Sequence, residues 1–254
     1  MSVNRKTRRA GAVALTTGVV GALLLAVPTN AAAGPVPITP VEKYELYLSN
    51  LANAGEPDAV ALLGDFRKFS EEKKEDFVGY VNDPKVTEAF LEVLSEGVAE
   101  PGTPEEEESF VTEGRKELYG GDVVIESEYH VEDVAGPSGG VSARGTAGSK
   151  KAWHSVSDTI FGKRVTKVTV GVNYQTSATR TTKVHSAWAG QSNFVPGVSF
   201  DNSPVKKWIS ANPGNNAHAE TVWTGKIAGT YTWSSRHRVW ADQDGYKGGY
   251  LKRI

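Results

Sequence analysis

At Gly120-Gly121 the sequence changes its hydrophobic period, and this switch constrains the fold more than any other feature. Before it, apolar residues recur at helical spacing behind repeated helix-start signals. After it, they alternate with polar residues, as in half-buried strands. The chain of 254 residues is long enough for one large or two small cores, so an α part followed by a β part is expected.

The first part is punctuated as helices. In "TPVEKYELYLSNLANAG", Thr39 is the N-cap, Pro40 the first helical residue, and Glu42 closes a capping box. Val41, Tyr44, Leu48 and Leu51 then share a face. In "EPDAVALLGDFRKF" the expected inward residues are Val60, Leu63 and Phe66, with Leu62 at the margin. Ser70 caps the next segment, Asp83-Pro84 starts another that turns Val86, Phe90 and Leu94 inward, and Thr103, Pro104 and Glu106 repeat the device. The unequal spacing of these starts argues against a solenoid. Four or five short helices joined by brief turns predict an acidic bundle over residues 36–120. The acids Glu105 to Glu108 fall in a first helical turn, where negative charge suits the dipole.

Residues 121–254 read as strands. Val123, Ile125, Tyr129 and Val131 alternate with Glu126, Glu128, His130 and Glu132. A flexible Gly/Ser loop is expected at about 134–151. "VTKVTVGVNY" alternates again, "QTSATRT" is a hairpin loop, and "TKVHSAW" places Val184 and Trp188 on one face with Lys183 and His185 on the other. "SPVKKWIS" reads as a single helical turn, the segment from His218 to Asp242 as two strands bent at Gly229, and "GYKGGYLKRI" as a last strand. No crossover helices are present, so the strands are antiparallel. The expected class is α+β, a small N-terminal helical bundle followed by an antiparallel β-sandwich or barrel-like domain.

Residues 1–33 read as a signal peptide. Arg5, Lys6, Arg8 and Arg9 precede an apolar run, and Ala31-Ala32-Ala33 offers small residues for cleavage. The run approaches membrane-spanning length, but Pro28 and the alanines behind it favour cleavage over an anchor. A secreted, extracellular protein is expected, by the general secretory route or the twin-arginine one. The chain has no cysteine, which excludes disulfides, zinc-thiolate sites and thiol nucleophiles, and no cofactor is expected. The leader, the stretch "EEKKEDFVGYVNDPKVTEAFLEVLSEG" and the Trp-rich β part together resemble uncharacterised secreted proteins of actinobacteria, in style over most of the chain. That resemblance implies export from a Gram-positive cell and carries over no functional residue.

The overall charge of −2 conceals a strong asymmetry. Residues 34–134 hold 25 Asp+Glu against 8 Lys+Arg, and residues 135–254 hold 5 against 16. All six tryptophans lie in the basic part. Such opposed charge predicts a salt-sensitive intramolecular contact, with the acidic helical region as a cap or pro-region.

The stretch "YTWSSRHRVWADQDG" carries the sharpest functional signal. Tyr231, Trp233, Ser235, His237, Val239 and Ala241 share one strand face, so His237 reads as a core histidine. Thr232, Ser234, Arg236, Arg238 and Trp240 share the other, where guanidinium groups beside an indole suit an anion. Arg236, Arg238, Trp240, Lys183 and His185 are therefore the expected binding residues. The expected partner is an anionic polymer or glycan, or a membrane surface, with nucleic acid less favoured. His218 and Glu220, on one strand face, are the candidate metal ligands, with His185 able to approach from another strand. Asp242 and Asp244 read as turn residues. No G-x-S-x-G, H-E-x-x-H, GxGxxG or P-loop occurs. A non-enzymatic secreted binding protein is the preferred reading. A secreted toxin or virulence effector acting on membranes or host cells stays open, as does a hydrolase using His218, Glu220 or His237.

Overall fold

The computed structural model describes residues 37–93, 114–134, 147–212, 214–227 and 231–254. The signal segment, the helix expected at Thr103 and most of the Gly/Ser loop lie outside them.

Among the described residues four helices come first: α1 (Pro40–Asn53), α2 (Pro57–Phe66), α3 (Glu71–Val81) and α4 (Pro84–Val93). The capping box at α1 is formed. Glu42 N donates to Thr39 Oγ1 at 3.2 Å, and Thr39 N donates to Glu42 Oε2 at 2.7 Å. Ser70 caps α3 by accepting from Lys73 N. In α2 the buried face is Ala59, Leu62, Leu63 and Phe66, whereas Val60 is 55% exposed. The inward arc is thus rotated by one residue from the expected one.

Ten strands follow: β1 (Arg115–Leu118), β2 (Val123–Val134), β3 (Gly148–Ile160), β4 (Lys163–Thr176), β5 (Thr181–Asn193), β6 (Val198–Asn202), β7 (Lys206–Ile209), β8 (Ala217–Ile227), β9 (Tyr231–Asp242) and β10 (Gly245–Arg253). They make two antiparallel sheets. One runs β1-β2-β3-β4-β5, the other β10-β9-β8-β6, with β7 also paired to β8. β6 and β7 occupy successive stretches of the same β8 edge, and Ser203 N bridges the break by donating to Val222 O at 2.9 Å. The expected helical turn in "SPVKKWIS" is therefore an edge strand, because β8 offers unpaired backbone there. β3 begins inside the expected loop, since Ser149 to Lys151 pair with both β2 and β4.

The sheets face each other. Ala152, Val170, Val172 and Tyr174 meet Ala217, Ala219, Val239 and Ala241. A second cluster joins Ile125, Val156 and Val168 to Trp223, Trp233 and Leu251, and includes Ala89 and Phe90 of α4. A third packs Tyr44, Leu48, Phe66 and Phe77 on Val123, Ile160, Val165 and Phe194.

These shared clusters overturn the expected fold class of a helical bundle followed by a sandwich or barrel. The described residues are mostly sheet, with four short helices layered on the strands, and those from Ile38 to Ile254 form one compact unit. The reason lies in helix length. Helices of 10 to 14 residues have apolar faces too small to bury one another, so strand side chains complete them. The tip of the β3–β4 hairpin shows the coupling. Phe161 has φ 51° and Gly162 φ 72°, a left-handed pair that suits a two-residue turn. Left-handed backbone costs a non-glycine residue roughly 1–2 kcal/mol. The Phe161 ring offsets this by packing against Phe69 at 6.1 Å and Tyr80 at 5.8 Å.

Candidate functional site: a cationic seam between β5 and β7

The outer face of the second sheet carries most of the residues singled out on β9. Arg238 faces Glu220 across the β8–β9 pair, and its Nε and Nη2 donate to Glu220 Oε2 at 2.8 and 2.5 Å. Arg236 Nε lies 3.9 Å from the same oxygen. The Arg238 guanidinium also sits 5.3 Å from the Trp208 ring centre and 5.5 Å from that of Tyr250. Trp240 is fully buried and offers no face to a ligand.

The proposed metal pair is engaged in the same way. The His218 ring is buried in a stack, 4.6 Å from Trp208 and 5.9 Å from Trp240, while Glu220 answers the arginines. Among the described residues no group of three His, Asp or Glu side chains could hold a metal ion. His237 lies in the core, fully buried. Asp242 and Asp244 form a turn, where Asp244 N donates to Asp242 Oδ1 at 2.7 Å.

Lys183 and His185, by contrast, are exposed on the edge strand β5. The register between β4 and β5 shifts after Asn173↔Ser186 to Tyr174↔Val184, which makes His185 the extra residue of a β-bulge. A bulge reverses the alternation of faces. Lys183, opposite Gln175, therefore shares the outer face with Trp188, while Val184 packs in the core. Simple alternation had placed Lys183 and Trp188 on opposite faces.

At the bulge the two sheets meet. Lys207 Nζ of β7 donates to the carbonyl of His185 at 2.5 Å. Lys206, Lys207 and Arg180 in the β4–β5 turn are exposed like Lys183. Among the described residues none of these four cations has a carboxylate within ion-pair distance. Glu220 is the cross-strand neighbour of Lys206, but Arg238 already holds it.

An aromatic row borders the seam. His130, Trp153, Gly171 and Trp188 stand opposite one another on β2, β3, β4 and β5. Any Cβ at Gly171 would collide with the Trp188 ring, so the glycine lets the indole lean across β4. Lys151 Nζ lies between the two indoles, 4.7 Å from the Trp153 centre and 5.4 Å from that of Trp188. His130 stacks on Trp153 at 4.9 Å. Both indoles are partly exposed. Farther along this face the Lys167 amine is held below its ordinary value, first by burial and then by the charge of Arg164.

Lys183 and the indole row lie on the outer face of the first sheet, Lys206 on the outer face of the second and Lys207 at the edge that joins them, so an anion passing round this edge would meet cations from both sheets. Sequence reasoning found Lys183 and His185 but missed Lys151, Trp153, Lys206, Lys207 and Arg180. The alternation Lys151, Trp153, Ser155 was the available signal for β3. No protein-family model matches the chain, and no curated protein and no solved structure is similar to it.

Proposed function

We propose that the protein is a secreted, non-enzymatic binding protein that holds an anionic polymer or glycan along the β5–β7 seam. Arg180, Lys183, Lys206 and Lys207 would neutralise the polymer, and the Trp153–Lys151–Trp188 row would border the bound chain. The observation that carries this reading is the exposure of four cations in a chain whose other described lysines and arginines are often paired with carboxylates. The export reading rests on the basic, apolar and small-residue order of residues 1–33. Among the described residues no helix is long and apolar enough to cross a membrane. The helices share apolar clusters with the strands, which supports a permanent layer rather than a removable cap.

The test is retention of residues 34–254 on immobilised heparin and on teichoic acid over a salt gradient. Reversing Lys183, Lys206 and Lys207 to Glu is expected to lower the eluting salt concentration. Reversing the exposed Lys43, Lys68 and Lys85 of the helical layer adds the same charge and is expected to matter far less. Equal losses in the two variants would refute a localised site.

A further inference from the structure

A cavity of about 500 Å³ opens where α3 and α4 meet the turn before β6 and the end of β8. Its walls are mainly apolar, with Val81, Leu91, Val195, Pro196, Val198 and Ile227. That volume lies within the range of roughly 300–1,000 Å³ typical of small-molecule sites.

A second, much smaller recess of about 20 Å³ adjoins it and shares Val81, Thr87, Val195 and Val198 with its lining. Asp158 forms part of this recess and is only 3% exposed. The backbone N–H groups of Thr166 and of Asp158 itself donate to the carboxyl group while the Thr166 hydroxyl donates to Asn193 Oδ1 at 3.3 Å, yet Asp158 Oδ1 is buried without a partner. The nearby Tyr44 hydroxyl is committed to the carbonyl of Phe194 at 3.1 Å. An unmatched buried acceptor costs about 1–3 kcal/mol, and a recess of this size holds a single terminal group or one water.

We propose that the two spaces form one binding site for a small apolar molecule ending in a hydrogen-bond donor, an alcohol or a primary amine. The apolar body fills the outer cavity, and the donor reaches Asp158 Oδ1. Above its raised value the Asp158 carboxyl is ionised and only accepts, so a carboxylate end would bring acceptor to acceptor, and an ester or a hydrocarbon would leave Oδ1 unmatched. Burial raises the Asp158 carboxyl to about 7, as expected of a group that water does not reach. The site lies apart from the cationic seam and does not depend on it.

Isothermal titration of the chain about two pH units above the raised Asp158 value, where the carboxyl is ionised, with 1-octanol, octylamine, octanoate and methyl octanoate tests the proposal. The alcohol and the amine are expected to bind at least about tenfold more tightly than the other two, the equivalent of 1.4 kcal/mol. Leu91→Trp is expected to weaken binding by narrowing the outer cavity. Asp158→Asn, which keeps an acceptor but removes the charge, is expected to weaken the amine far more than the alcohol. Equal binding of all four compounds overturns the proposal, as does binding of none, which would leave the recess to a water molecule. The comparison among ligands uses the unaltered chain, so a poorly folding variant does not rescue the idea.

Discussion

His154 Nδ1 lies 2.8 Å from His237 Nε2, joining the two sheets through a pair of fully buried imidazoles. Trp223 Nε1 donates to His237 Nδ1 at 3.1 Å, and an indole can only donate. His237 must then carry its proton on Nε2 and give it to His154 Nδ1, which fixes both neutral tautomers.

Burial drives both rings toward neutrality, His154 down to about 4 and His237 well below its ordinary value. Below about 6.5 the unfolded chain binds protons that the folded one refuses, so stability falls as pH drops from 6.5 to 4. The His154 share is about 3 kcal/mol. Asp158, raised to about 7, acts in the opposite sense. The unfolded chain releases its proton near 3.8 and the folded one keeps it, so this contribution is lost as pH rises from 3.8 to 7. Thermal melts between pH 4 and 7 should show a steeper acid loss for Asp158→Asn and a shallower one for His154→Gln. Parallel profiles for all three proteins would contradict these assignments.

Two glycines lie under tryptophans, and they should respond differently to alanine. A Cβ at Gly225 would overlap the ring of Trp233, which is 3% exposed and has no room to move. Gly225→Ala is expected to cost about 1–3 kcal/mol through overpacking. Trp188 is partly exposed and can swing outward. Gly171→Ala should therefore change tryptophan fluorescence more than denaturant midpoint, and a reversed order of stabilities would count against this packing account.

Glu220 is the only described carboxylate that answers Arg238. Glu220→Ala leaves a largely buried guanidinium uncompensated and is expected to cost about 3 kcal/mol. Replacing both residues with methionine should restore most of that loss in urea melts. A double variant as weak as the single one would show that the pair contributes net stability.

Removing the helices should unfold the strands. Phe66 and Phe77 lie fully buried in the cluster that covers Val123, Ile160, Val165 and Phe194. Phe77→Ala is expected to cost about 3–5 kcal/mol. A fragment of residues 114–254 should lack dispersed amide signals in a two-dimensional NMR spectrum. A well-dispersed spectrum would restore the idea of two separable domains.

Local punctuation was the legible part of the sequence. Thr39, Pro40 and Glu42 announced α1, and Val168, Val170 and Val172 announced the inner face of β4, because caps and alternation act over a few residues. Two kinds of feature were not legible. The bulge at His185 reverses the faces of β5, and only pairing with β4 reveals it. The merging of helices and strands into common clusters depends on contacts such as Tyr44 with Phe194, 150 positions apart. On β9 the face assignment from alternation agreed with burial, yet an outward-facing strand position was not an accessible one. Trp240 is fully buried on that face, and Glu220 had already claimed Arg238.

The position of β7 has a practical consequence. This strand borders its sheet with Lys206 and Lys207 on display, and charged edge residues discourage other chains from adding a strand. The amines invoked to recruit a polymer are thus also sentries against aggregation. Alanine scanning there would mix lost affinity with lost solubility, whereas Lys→Arg and charge reversal each retain a charged barrier. Any loss of binding in those variants can then be read as recognition.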